Sequence, residues 1–319
     1  MVLDSVKRMS GPISQAESAA SIEEKTEPAL QPSFELYPSR VAMVGNTQVR
    51  RALPKRQRRT IGAWCFADHF GPETLNGKRG MEVGPHPHIG LQTATWLIEG
   101  EIVHRDSLGS EQPIRPGQLN LMTAGQGVTH SEEFSGRNIP RMHGIQLWVA
   151  QPDATRNDAP SFEHHDAIPE ATFDNVSAKV FLGSFGGASS SARTDTPIVG
   201  IEASLGIGSS IFELRKDFEY GLIVLQGMVG FQSQIITPGN LAYFGADRDE
   251  LPLTAHEPTT FLLIGGAPFP SKPLMWWNFV ARSQDEIIQA YSDWQSRAER
   301  FGQLSSSLDR IEAPKPQYL

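Results

Sequence analysis

Two short stretches carry side chains that could hold a metal ion: residues 86–100 read HPHIGLQTATWLIEG and residues 125–134 read GQGVTHSEEF. Successive side chains of a strand point to opposite faces, so His86 and His88 share one face, and His130 and Glu132 share one face of a second strand. Pro87 between the first pair cannot donate to a ladder. Three imidazoles and one carboxylate form a complete donor set for a single divalent cation. Such a set suits Fe(II) and also accepts Mn, Co, Ni, Cu or Zn, because affinity orders overlap and selection rests on geometry and availability. One H-x-H alone is common in ordinary strands. Here a Gly turn at Gly100 and a Pro-Gly turn at Gly117 separate the two pairs, a strand order that can bring both onto one barrel interior.

The elements that must position these residues are short. From Phe34 onward, runs rich in Val, Ile, Leu, Phe and Trp alternate with Gly and Pro, as in EIVHRDSLG, RPGQLNLM and MHGIQLWVA, which reads as many strands of a sandwich or barrel. A weak internal repeat appears when glycines serve as anchors: TWLIEGEI leads to IRPGQLNLM, and LIVLQGMV leads to IITPGNLAYF. Two tandem β-domains follow, with the Gly/Ser-rich stretch 183–197 near their junction. The expected organisation is a flexible tail at 1–33, an N-terminal metal-binding domain at 34–170, a C-terminal domain at 171–282, and a helix with its tail at 283–319. In that helix Ser283 and Glu286 have capping-box spacing, and Ile287, Ile288, Tyr291, Trp294 and Ala298 recur on one face.

The chain has 28 basic and 36 acidic residues and a formal charge of −8, which disfavours direct nucleic-acid binding. The basic run 50–59 (RRALPKRQRR) reads as a solvated loop. Cys65 is the only cysteine, so no intrachain disulfide can form, and its apolar surroundings suit an inert thiol. No apolar run matches a signal peptide or a membrane span, so a cytoplasmic protein without membrane contact is expected.

The motifs HPHIGLQTATWLIEG, HRDSLG, RPG, MTAGQGVTHSE and HGIQLWV resemble, in order and spacing, the pirin family, a branch of the cupin superfamily. The likeness is close from Arg51 to about Pro152, including RALP and FADHFGP, and looser to about residue 282. It implies an all-β fold of two tandem cupin jelly-roll barrels with a C-terminal helix. It also implies one metal, usually iron, in the first barrel, with ligands at His86, His88, His130 and Glu132. Counting from Gly227 and Gly239 places no histidine near 213–215 or 251–253, so the second barrel is expected to be metal-free. The chain departs from the family at Gln92, where a glutamate is usual, and at Ile89-Gly90-Leu91, where the usual Arg-Gly-Phe would put a positive charge at the pocket mouth.

The resemblance suggests a quercetin 2,3-dioxygenase-type oxygenase acting on a flavonol or related enolic or phenolic substrate with dioxygen, and Glu132 as the residue that accepts the substrate proton. The alternative it offers is a metal- or redox-sensing coregulator acting through a protein partner. Gln146 resembles a family pocket residue and, less closely, so does Asp68. His104 and Asp106 read as a hydrogen-bonded pair at a strand turn outside the ligand set, His164 and His165 as an exposed loop, and Met122 as core.

Overall fold

A computed structural model of the chain describes residues 34–136 and 139–317; the tail expected at 1–33 lies outside the described residues. The described chain forms two barrels, each a seven-stranded sheet opposed to a four-stranded one. In the first barrel the large sheet is centred on Leu91–Glu99, Arg141–Ala150 and Trp64–Thr74, and the small sheet runs Val83–His88, Val128–Phe134, Ile102–Asp106, Glu111–Ile114. The second barrel repeats the plan, with Glu219–Gln226 and Thr259–Gly266 central to its large sheet.

The glycine-anchored repeat is visible strand for strand. Leu91–Glu99, Ile102–Asp106 and Leu119–Thr123 correspond to Glu219–Gln226, Val229–Phe231 and Asn240–Phe244, with Gly100, Gly117, Gly227 and Gly239 all at positive φ in the turns. Only glycine takes that conformation without steric cost.

Both faces of the central strands are buried, and in the first barrel the interior face carries polar groups such as Thr95 and Gln146. On Leu91–Glu99, Thr95 faces the barrel interior and bonds Gln146, while Trp96 faces the second barrel and stacks on Phe181 at 4.9 Å. Trp64 does the same from its strand, donating to the carbonyls of Val199 and Gly265 at 3.2 Å each. Ala94, Trp96, Leu147, Ile223, Leu262 and Ile264 join one core between the large sheets, and each fully buried Leu or Ile there contributes roughly 1.5–3 kcal/mol.

The barrels exchange segments, which the linear domain reading does not anticipate. Phe34–Pro38 pairs with Asn240–Phe244 and so belongs to the second barrel's sheet, although the first domain was expected to begin there. The chain passes between barrels from Ser161–His165, on the first sheet, to Glu170–Phe173, on the second. The Gly/Ser stretch is no linker: Ser184–Phe185 and Ala188–Ser189 form a hairpin, with Gly186 and Gly187 at positive φ.

After the second barrel the chain returns to the first. The hairpin Leu274–Trp276 and Phe279–Ala281 lies against Ile89, with Val280 N–H donating to Ile89 C=O at 3.1 Å. Gly90 permits this approach, since a Cβ there would sit 2.1 Å from the Val280 carbonyl oxygen.

The helix spans Gln284–Gln295, with the Ser283 side chain accepting from Glu286 N–H as expected. It stops short of Ala298 because Arg297 adopts positive φ. Its buried face is Ile287, Ala290 and Trp294, packed with Ile89, Phe279 and Phe301 on the first barrel. The Glu286 carboxylate reaches Arg282 N–H and the Arg156 guanidinium instead of closing the box on Ser283. No helix among the described residues is long and apolar enough to cross a membrane.

Candidate metal centre

The histidines converge because of strand register. Val83–His88 and Val128–Phe134 are antiparallel neighbours, with His130 opposite His86 and Val128 opposite His88. On the other side of the same strand, His130 lies opposite Asp106 and Glu132 opposite His104. His86, His88 and His130 are buried, and each offers a ring nitrogen within 4.8 Å of the others.

Hydrogen bonds set the direction of these rings. His86 Nδ1 meets Gly84 C=O at 2.8 Å, and His88 Nδ1 meets Asn278 C=O at 2.9 Å. A carbonyl only accepts, so both rings carry the proton on Nδ1 and turn a bare Nε2 inward. His88 Nε2 and His130 Nε2 stand 3.0 Å apart. Burial holds all three rings neutral, taking His86 down to about 4 and, with help from neighbouring imidazoles, His88 and His130 well below the ordinary histidine value.

Glu132 lines the same cavity without joining the close group of three, because the ladder bulges between His130 and Glu132. Its Oε1 is buried and has no hydrogen-bond partner, and burial pushes its carboxyl up to about 7. Inward-turned neutral imidazoles beside an unpartnered carboxylate oxygen are a donor set that fits one divalent cation; an empty cluster of lone pairs is costly.

The cavity over the triad has a volume of about 320 Å³. Phe66 and Trp148 form one wall, stacked at 4.0 Å with their planes 15° apart, and Trp148 packs on His88. Gln146 and Asp68 both line it. Thr95 Oγ1 donates to Gln146 Oε1 at 2.9 Å, which fixes the amide and leaves buried Nε2 without a partner. Asp68 is clamped by Arg51 through bonds of 2.8 and 2.6 Å, and burial nonetheless raises its carboxyl above the ordinary value.

Arg51 changes two expectations. It stands on strand Thr47–Leu53 and lines the cavity, so the basic run is partly built into the site, and a positive charge is present although Ile89 replaces the family's arginine. Arg58, from the same run, pairs with Glu35 and covers the Tyr243 ring. Gln92 does not line the cavity; it bonds Thr123 Oγ1 at 2.9 Å. The missing glutamate therefore removes no cavity group.

His104 stays outside the triad and the cavity lining, as expected, but stands directly behind His130. It is buried, bonds Asp106 at 3.1 Å as expected, and also meets His130 Nδ1 at 3.4 Å. His164 and His165 lie on a half-buried edge strand, not a loop, where His164 bonds Asn120. His143 faces away from the cavity and meets His69 at 2.8 Å. Met122 is core, and burial pushes the Cys65 thiol up to about 12. Trp277, Asn278 and Ile311 complete the cavity from the returning C-terminal segment, Asn278 lying 190 residues beyond His88, and nothing local in the sequence marks them.

In the second barrel, Phe212 stands opposite Leu251 and Ser210 opposite Leu253. Phe212, Phe231, Phe244 and Phe261 fill that interior with Leu251 and Leu253.

The family model for Pirin matches residues 46–149, and that for the Pirin C-terminal cupin domain matches residues 202–302. A Pseudomonas aeruginosa protein provisionally named a quercetin 2,3-dioxygenase is 44% identical over 272 residues, covering 85% of each chain. A Pirin-like protein of Caulobacter vibrioides is 36% identical over 82% of this chain and 92% of its own. The crystal structure of a quercetin 2,3-dioxygenase from Acinetobacter baumannii superposes with a TM-score of 0.87 at 41% identity, covering 90% of this chain and 97% of the other.

Proposed function

The chain is a member of the pirin family of two-barrel cupins, and from that premise we propose that it is a metal-dependent oxygenase of the quercetin 2,3-dioxygenase type, with His86, His88, His130 and Glu132 holding one divalent ion. The observation that carries this reading is the meeting of three inward Nε2 atoms and an unpartnered carboxylate oxygen beneath an aromatic-walled cavity. When bound, Fe(II) supplies Lewis acidity toward a substrate hydroxyl and reactivity toward dioxygen.

The protein's own groups do the rest. The stacked Phe66–Trp148 pair, with the Arg51 guanidinium over Phe66, gives the cavity an aromatic wall suited to a flavonol or related enolic or phenolic ring. Gln146 Nε2 supplies a fixed donor for a substrate carbonyl, since a buried donor without a partner gains most from one. Glu132, buried in the cavity wall with its Oε1 unpartnered, is placed to take the hydroxyl proton and return it. Met43 lines the cavity while 63% exposed, so substrate has a way in.

The coregulator alternative calls for an exposed apolar or acidic face beside the site. Val41 and Met43, at 62% and 63% exposed, are a two-residue patch on an edge strand, small for a partner surface. The open cavity favours turnover. A cytoplasmic setting, which keeps iron ferrous, is part of the proposal. Anaerobic loading with Fe(II), followed by oxygen uptake and carbon monoxide release with quercetin and a panel of enolic and phenolic compounds, tests it. Iron-dependent turnover supports the enzyme; iron-loaded protein inert across the panel supports the coregulator.

A further inference from the structure

His130 differs from the other two rings in what stands behind it. His86 and His88 rest their Nδ1–H groups on neutral main-chain carbonyls. Behind His130 stand two side chains: His104 Nδ1 lies 3.4 Å from His130 Nδ1, and His104 Nε2 lies 3.1 Å from Asp106 Oδ2. The first contact is longer than an ordinary hydrogen bond. All three residues are buried, and the ladder puts Asp106 directly opposite His130.

Each member is held from outside the cavity. Asp106 Oδ1 accepts from the backbone N–H groups of Leu108 and Ser110, both at 2.9 Å, so the turn that follows the strand grips the carboxylate. Phe162 stacks on the His104 ring at 4.4 Å with the planes 13° apart. The carboxylate has no proton to give, so it takes the Nε2–H of His104. His104 Nδ1 then accepts from His130 Nδ1–H, and the His130 Nε2 lone pair is left facing the cavity.

We propose that His104 and Asp106 are positioning residues for His130, fixing its tautomer and making it the most electron-rich of the three imidazoles. The inference rests on the ligand assignment above. The Asp106 carboxylate polarises His104, which in turn accepts from the ligating imidazole, and loss of an outer partner of a ligand typically costs roughly 10–100-fold in metal affinity. The turn at 106–110, remote from the cavity mouth, thereby sets part of the site's donor strength.

Co(II) titration of metal-free protein, read by affinity and by the visible ligand-field bands, tests this without reference to turnover. Asp106→Asn and His104→Leu are expected to weaken Co(II) binding by roughly 10–100-fold and to shift the bands. His104→Gln keeps an acceptor oxygen for the His130 N–H, so it is expected to lose less affinity, and it carries the comparison if the other two variants fail to fold. His143→Gln, in a buried imidazole pair away from the cavity, controls for general loss of packing and is expected to leave the bands in place. Parent-like bands and affinity in the folded Asp106 and His104 variants would overturn the inference alone. A parent protein that takes up no Co(II) would overturn the ligand assignment and this inference with it.

Discussion

The Nε2 atoms of His88 and His130 face each other across 3.0 Å from neighbouring strands, and neither ring is free to turn away. His88 is tied to the Asn278 carbonyl and His130 to His104. Two neutral nitrogens brought this close repel through their lone pairs, and burial opposes relief by protonation. A cation between them removes the conflict.

Removing a donor should therefore cost more than removing its support. His88→Ala and His130→Ala are expected to weaken Mn(II) or Co(II) binding by more than the roughly 10–100-fold typical of outer partners, and His104→Ala by an amount within that range. Isothermal titration separates them; equal losses in all three would mean that the cavity is not the site.

Metal uptake should depend on pH mainly through one proton. Glu132 in the metal-free protein is raised to about 7, so below that pH it must lose a proton to ligate, whereas the histidines are already neutral. Affinity is expected to fall about tenfold per pH unit between pH 7 and 5 and to be flat above about 8. Glu132→Gln should flatten the lower limb, and a parent-like slope in that variant would contradict the assignment.

Metal-free protein should lose stability in acid. His86 and His143 titrate at about 4 in the fold against 6.5 in the open chain, so their contribution is complete above 6.5 and is lost as pH falls toward 4. His88 and His130 act in the same direction. Glu132, raised by burial, acts in the opposite direction: its contribution is complete below about 4.5 and disappears as pH rises through 7. Four imidazoles outweigh one carboxylate, so melting temperature is expected to drop between pH 6.5 and 4, and to drop more in Glu132→Gln. A flat profile over that window would show the rings to be solvated.

Glu132→Gln should separate holding the ion from moving the proton. The amide oxygen can ligate but cannot serve as a base, so the iron-loaded variant is expected to retain much of its metal and lose at least about a hundredfold in turnover. Asp68, the other carboxylate lining the cavity, is clamped by Arg51 and does not stand in. Unchanged oxygen-dependent turnover would remove Glu132 from the proton path.

The parts of the site legible in the sequence are those governed by the period of a strand. H-x-H and H-x-E alternate onto common faces wherever they are extended, and the glycine turns give the strand order that brings them together. Register was not legible, because it depends on pairing between distant segments. It is what places His104 behind His130, and a bulge in the same ladder sets Glu132 apart from the triad. Arg51 and Phe66 were concealed in stretches that read as loop and core. Asn278, whose carbonyl orients His88, comes from a segment that returns from the far barrel, and Phe34–Pro38 crosses the other way. Such exchanges are fixed by tertiary packing and leave no local periodicity.

The ligand assignment is tested most directly by an anomalous difference map from crystals of the metal-loaded protein, recorded at the metal's absorption edge. It predicts a single strong peak in the first barrel, about 2 Å from the Nε2 atoms of His86, His88 and His130 and from a carboxylate oxygen of Glu132, with none in the second. A peak elsewhere, or one held by the histidines with Glu132 turned away, would contradict it.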